Sequence, residues 1–185
     1  MIHDSHPWKT QLARDANLIE RWAAKPRRSE RRSFLIEQKV FLAAYTMRKL
    51  DDAAKTSTDL LASSMSVSRF PSTRAGFSGA TSHRFDDFFD LKMPARVDLR
   101  RRRLLDLLIH SVVFVEVLCD AETYDAFLVT SDYEQAKGLV QVEIAAFVDL
   151  MRLAATDHPT AIRRTLDSST GQWRIWTGQG DPPSD

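Results

Sequence analysis

The spacing of apolar side chains divides the chain into a helical first part and a later part rich in strands. Residues 8–24 place apolar residues at helical intervals until Pro26, a residue type that ends helices. A second helix is predicted over residues 33–55, where apolar residues cover more than half of the helix circumference, as in a helix at the centre of a fold. Pro94 suits the first turn of a third helix, which we predict to run to His110.

The segment between the second and third helices has no hydrophobic period. Residues 56–82 contain twelve Ser or Thr among 27 positions, a composition typical of an irregular connection. Because connections of this length are uncommon in a compact domain, we expect this one to be disordered unless it is functional. Residues 83–91 are expected to form a short helical turn, anchored by Phe85, Phe88 and Phe89.

After His110 the apolar period changes from that of a helix to that of a strand. Apolar runs separated by short polar segments predict two antiparallel hairpins, one further strand and one late helix. In chain order these elements are a hairpin (111–120 and 125–132), a third strand (139–144), a helix (144–157) and a closing hairpin (160–166 and 172–178), with 181–185 as a frayed tail.

These elements predict one α+β domain over residues 1–185: an N-terminal helical layer of three main helices, then a small antiparallel β-sheet with one covering helix. The length suffices for a single hydrophobic core.

The charge of the chain also changes between residues 110 and 111, where the predicted helices give way to strands. Residues 1–110 hold 21 Lys and Arg against 13 Asp and Glu, a net +8, whereas residues 111–185 hold 5 against 12, a net −7. A basic helical half therefore adjoins an acidic β-rich half, 111–180.

Several classes of function lack their usual signals. The chain carries no metal-ligand cluster, no Gly-rich phosphate loop and no Ser/His/Asp arrangement at a known spacing, so we predict neither a metal nor a cofactor. It shows no secretory leader and no apolar run of about 18 residues, so we expect a cytoplasmic protein away from membranes. The single cysteine, Cys119, cannot form an intrachain disulfide and is expected to be an inert thiol in the core.

The candidate chemistry lies at the end of the third helix, in the stretch RRRRLLDLLIH. On a helical wheel Arg96, Arg103, Asp106 and His110 share a polar stripe about 80° wide. An acid four residues before a histidine can hold its imidazole in one orientation, and an arginine on the same stripe can bind a phosphate. The stripe is therefore a candidate phosphodiester site.

The basic residues of this helix also point to a negatively charged partner. Arg96 and the run Arg100, Arg101, Arg102 and Arg103 fall in its first half, where the helix dipole disfavours basic side chains by about 0.3–1 kcal/mol each. The phosphates of an RNA or carboxylates of the chain itself could offset that cost. We predict that Arg96 and Arg100–Arg102 bind RNA.

The second helix carries two charged residues among apolar ones. Glu37 and Arg48 are three turns apart and lie within about 20° of each other on the wheel. Two interpretations stay open. Glu37 pairs with an arginine of the third helix and Arg48 with Asp106, as internal ion pairs, or the helices pack side by side and gather these residues with His110 into one cleft.

A two-helix core followed by a histidine on a basic helix resembles the HEPN domains of prokaryotic conflict systems. The resemblance covers residues 29–112: Arg103 and His110 enclose six residues, and Asp106 holds the polar position four residues before the histidine. The pattern departs from that of the family at Leu105, where arginine is favoured, and in the strands that follow directly. The resemblance implies a metal-independent endoribonuclease, commonly a dimer, acting at an RNA phosphodiester.

This resemblance predicts an RNA-binding or RNA-cleaving effector of a toxin-antitoxin or antiphage system. In that reaction His110 is the general acid and base, Asp106 orients it, and Arg103 with Arg48 stabilises charge on the phosphate. Glu37 is expected to contact these residues without touching the substrate. The expected partners are RNA, an antitoxin protein and a second copy in a homodimer.

Two alternatives lead away from catalysis. A histidine at a helix end commonly caps the final carbonyl groups, which would make His110 structural. The whole chain is alternatively a non-enzymatic interaction module, whose basic helices bind an acidic protein and whose acidic hairpin, Glu116 to Glu134, offers strand edges for pairing or dimerisation.

Overall fold

Five antiparallel strands form the central sheet of the computed structural model, which describes residues 2–120 and 122–180. The sheet order is β2-β1-β5-β4-β3, from β1 (Ser64–Phe70), β2 (Ala95–Arg100), β3 (Ser111–Leu118), β4 (Tyr124–Ser131) and β5 (Leu139–Glu143). The helices are α1 (His6–Ala23), α2 (Glu30–Asp52), α3 (Thr58–Ala62), α4 (Arg101–Ile109) and α5 (Ile144–Thr156). Helices and an antiparallel sheet thus occupy one chain, which confirms the predicted α+β class.

The predicted irregular connection at 56–82 is wrong for much of its length, because it contains α3 and β1. The sequence of β1, SMSVSRF, alternates polar and apolar residues, and its serines gave it the composition of a loop. Met65 and Val67 of β1 lie opposite Leu99 and Val97 of β2, so two short segments about thirty residues apart bury one apolar row between them.

The start of the predicted third helix is also wrong. Residues 95–100 form the strand β2, which pairs with β1 from Ser64↔Arg100 to Arg69↔Ala95, and α4 begins only at Arg101. The residues of β2 alternate in burial, with Val97 and Leu99 turned toward the core. Arg96 therefore lies on a strand and does not share a helical stripe with His110.

The two faces of the sheet are covered differently. Helices α4 and α5 pack directly against one face, with α2 beside α4 and α1 beside α5 and α2, and the largest buried cluster joins these helices to side chains such as Phe127 and Val142. The other face is covered by the segment that links β1 to β2, through the buried rings of Phe77, Phe88 and Phe89. A 3₁₀ helix at Gly79–Asp87 overlaps the turn predicted at 83–91 only over residues 83–87. The predicted anchors are confirmed, since Phe88 and Phe89 are buried and the half-buried Phe85 packs against them.

Helices α2 and α4 run antiparallel, since Asp51 near the end of α2 pairs with Arg102 at the start of α4, and Arg48 pairs with Asp106 one turn farther along.

Farther from the sheet, the buried amine of Lys9 donates to the Lys55 carbonyl at 2.7 Å and also to that of Asp157. Burial, opposed by the Asp157 charge, lowers the pKa of Lys9. Polar contacts therefore fasten α1 to the ends of α2 and α5.

The closing hairpin forms a separate two-stranded sheet of β6 (Ala161–Leu166) and β7 (Trp173–Gly178), as predicted. It is held to α3 by the Thr177 amide, which donates to the Thr58 hydroxyl at 2.9 Å.

The predicted tail, 181–185, lies outside the described residues. Cys119 is exposed, so its predicted place in the core is wrong. Each described helix is too short or too polar to cross a membrane.

Candidate functional site

The predicted phosphodiester residues fall into three separate groups. In the first, the Arg48 guanidinium bridges the two antiparallel helices, with Nε 3.0 Å from Asp106 Oδ1 and a second bond to Asp52. Burial opposes the charge of Arg48, but the bonds to Asp106 and Asp52 outweigh it and raise the pKa of the guanidinium. The predicted internal ion pair between Arg48 and Asp106 is thereby confirmed.

The second group holds Arg103, which extends from α4 toward the segment between β4 and β5. There it pairs with the buried carboxylate of Glu134, and Lys137 Nζ approaches the same Oε1 atom at 2.9 Å. Burial would raise the pKa of Glu134, but the hydrogen bonds from Arg103 and Lys137 lower it. The charge of Arg103 is therefore balanced within the chain.

The third group contains His110, which ends α4 and is exposed. Its backbone amide donates to the Asp106 carbonyl at 3.0 Å, while its ring lies edge-on to Tyr133 with 6.4 Å between centroids. The Asp106 carboxylate faces Arg48 instead. The structure therefore brings Arg48 and Asp106 together but does not gather them with Arg103 and His110 into one cleft.

The predicted RNA-binding arginines are also dispersed. Arg96 on β2 bonds the Ser66 hydroxyl at 2.6 Å, and Arg101 donates to the Leu60 carbonyl at 3.1 Å. Arg100 and Arg102 line a cavity of about 350 Å³ together with Asp51 and Asp52, which Arg102 contacts. Burial raises the pKa of Asp51, against the opposing charges of Arg102 and Arg48. Carboxylates of α2 therefore offset part of the charge that suggested a polyanion.

A different feature stands out between α2 and β3. Two adjoining cavities of about 540 and 470 Å³ share Glu37 and Phe114, and together they form one trough, the α2–β3 groove. Its main lining residues are Phe34, Glu37, Phe41 and Tyr45 of α2 and Val112, Phe114 and Glu116 of β3. The groove runs beside most of the length of one strand.

The floor of the groove is an aromatic row that continues into the core. Phe41 packs against Phe114 with 5.1 Å between ring centroids, Phe114 stacks on Phe127 at 5.1 Å, and Phe127 meets Phe147 edge-on at 5.7 Å. Since Phe127 and Phe147 are fully buried, the floor is anchored in the core.

The rim carries exposed apolar side chains, whereas Phe41 and Phe114 of the floor are half-buried. Phe34 is 58% exposed and Tyr45 is 48% exposed, and both belong to the same side of α2 as Glu37 and Phe41. Clustered apolar groups at the surface of a protein commonly mark an interaction surface.

One wall of the groove is the free edge of the sheet. β3 pairs with β4 on one side, and its other side ends the sheet order. Outward backbone N–H and C=O groups of β3 therefore have no strand partner among the described residues, and such an edge is a template for a further strand. The predicted hairpin edge is thus present on β3, while β4 lies inside the sheet.

The groove also contains two carboxylates. Glu116 Oε2 accepts from the Ser33 hydroxyl at 3.0 Å and from Arg28 Nε at 3.3 Å, and Arg28 is largely exposed. Glu37 is half-buried, and in the described part of the chain no cation lies within 4.0 Å of it. Burial, with the nearby Glu116 charge, raises the pKa of Glu37. The predicted pairing of Glu37 with an arginine of the third helix is therefore wrong.

Comparison of the chain with protein-family models, with curated proteins and with solved structures found no match. Its function is therefore inferred from its own residues.

Proposed function

We propose that this chain is a protein-binding module that captures an extended segment of a partner protein as an additional strand beside β3. The observation that carries the proposal is the unpaired edge of β3 lying along the apolar α2–β3 groove. In strand addition, main-chain hydrogen bonds supply affinity, and pockets that accept alternate side chains supply specificity. Both components are present at this edge.

The dimensions suit a short peptide. β3 has eight residues, which span about 26 Å at roughly 3.3 Å per residue. A partner strand of six to eight residues, roughly the length of β3 itself, would direct every second side chain toward α2, where Phe41 and Phe114 form the floor. Burying one large apolar side chain there is worth about 1.5–3 kcal/mol.

The proposed binding function fits the positions of the charged residues better than RNA cleavage does. Arg103 forms an ion pair with Glu134, so its guanidinium is not free to bind a phosphate. Asp106 forms an ion pair with Arg48, so its carboxylate does not orient the His110 ring. A cytoplasmic location and a homodimer stay predictions from the sequence.

The test is selection of peptides from a displayed library of random twelve-residue segments. We expect the unmodified chain to enrich peptides with alternating apolar residues, and Phe34→Asp and Tyr45→Asp variants to lose more than tenfold in affinity for them, since each places a charge on the rim. The matched control is Leu153→Asp, because Leu153 is 47% exposed on α5 and lies outside the groove. Failure to enrich any peptide, or equal binding by all four proteins, contradicts the proposal.

RNA binding is a second candidate, favoured by one observation. Tyr133 is 81% exposed, its ring lies edge-on to that of His110, and Lys137 follows four residues later in the chain. An exposed aromatic ring near a basic side chain can stack on a base. A single-stranded RNA oligonucleotide should then bind at low salt, and Tyr133→Ala should weaken it, whereas Phe34→Asp should not. Absence of binding at low salt would remove this candidate.

A further inference from the structure

We infer that the segment bound in the α2–β3 groove carries a lysine or arginine whose charge is received by Glu37 and Glu116. This inference rests on the proposed protein-binding function and adds the chemistry of the partner. It is drawn from the position of the two carboxylates relative to the apolar floor and to the free strand edge.

The two carboxylates stand where a side chain of an added strand would reach. Glu37 lines both cavities of the groove, beside Phe114, and Glu116 lies two residues along β3 from Phe114. Side chains two residues apart project from the same face of a strand. A partner residue opposite this part of β3 would therefore meet an apolar floor and, next to it, two acidic groups.

The described residues do not balance the negative charges of Glu37 and Glu116. Arg28, a largely exposed side chain, contacts Glu116 through one oxygen, and Glu37 has no cation partner among the described residues. Leaving a half-buried carboxylate without a partner costs free energy. A basic side chain of the partner would complete the pair, and the lysine or arginine stem would cover the neighbouring apolar surface.

Charge also argues against the other occupants of the groove. A second copy related by two-fold symmetry would bring the same surface to both sides of the interface, and would place the Glu37 and Glu116 carboxylates of both copies along one seam. RNA would bring phosphates toward the same two acids. A basic extended peptide is the occupant that these charges favour.

The experiment repeats the displayed-library selection with the unmodified chain, with Glu37→Gln and with Asp125→Asn. Asp125 is exposed on β4, so its variant matches the loss of charge outside the groove. We expect the unmodified chain and Asp125→Asn to enrich peptides with a basic residue at one fixed position, and Glu37→Gln to lose that preference. For one enriched peptide, affinity for Glu37→Gln should fall about tenfold, and replacing its basic residue by glutamine should remove that difference.

The two proposals fail in different ways. If peptides bind and are sensitive to Phe34→Asp but show no basic position, the charge inference is wrong while the docking function stands. If no peptide is enriched, the docking function itself is wrong. If the free chain sediments as a dimer that Phe34→Asp separates, a second copy occupies the groove and the inference is overturned.

Discussion

Gly138 permits the close approach of β5 to β1, and replacing it should cost more than any other Gly→Ala change in the described chain. Its backbone has φ 118° and ψ 179°, a region open almost only to glycine, which costs other residues about 1–3 kcal/mol. An added Cβ would also overlap the Phe70 carbonyl oxygen and lie 3.1 Å from its carbon. Overpacking of this kind costs about 1–3 kcal/mol, so we expect Gly138→Ala to lose about 4 kcal/mol of unfolding free energy.

Two other glycines separate the two contributions to this cost. Gly171 has φ +67° with open space where a Cβ would project, and Gly79 has neither a positive φ nor a close neighbour. We expect Gly171→Ala to lose about 1 kcal/mol and Gly79→Ala to change stability by less than about 0.5 kcal/mol. Urea unfolding followed by circular dichroism measures all three. A loss for Gly138→Ala no larger than that for Gly171→Ala would refute the close contact with Phe70.

Three further changes test the charged groups. Asp106→Asn should lower the unfolding free energy by about 1 kcal/mol or less, because its pair with Arg48 is partly exposed. The control is Asp149→Asn, whose side chain is 71% exposed and whose unfolding free energy, measured in the same urea titration, should change less. Glu134→Gln should lower stability at pH 7, and because the folded pKa of Glu134 is depressed, the difference from the parent should close as the pH falls through that pKa. Glu37→Gln should do the opposite: the raised pKa of Glu37 means that its ionised form opposes folding, so the variant gains stability at pH 7 and the gain disappears in acid. Parallel curves of stability against pH would contradict both of these predictions.

The elements predicted from the sequence are those with a strong local period. The amphipathic residues of α1, the apolar circumference of α2 and the alternating hairpin of β3 and β4 each fix their own conformation, and all are present. β1 and β2 were missed because each is short and half polar. Each strand buries its apolar residues only when Met65 and Val67 lie opposite Leu99 and Val97. This pairing joins segments about thirty residues apart, so the pattern of either segment alone does not show it.

The proposed binding region could not be predicted from the sequence for a related reason. A helix with apolar residues over more than half its circumference is expected to be covered on most of its sides, so the period of α2 predicted a central helix rather than an exposed apolar surface. Which side stays exposed depends on the sheet order. Only the position of β3 at the end of that order leaves Phe34 and Tyr45 beside a free edge rather than under another strand.

Asp106 and His110, two residues of the predicted polar stripe, have structural roles near the edge formed by β3. α4 ends at His110 and β3 begins at the next residue, so the position of α4 relative to α2 also fixes where the edge strand starts. The ion pair between Arg48 and Asp106 holds those two helices together one turn before the junction. His110 interrupts the apolar run because the chain there leaves the core at the surface and turns into an exposed edge. The ion pair of Arg48 and Asp106, two residues predicted to be catalytic, thus joins the helix that lines the α2–β3 groove to the helix that leads into β3. Loss of the Asp106 carboxylate should therefore weaken the proposed peptide binding as well as the fold.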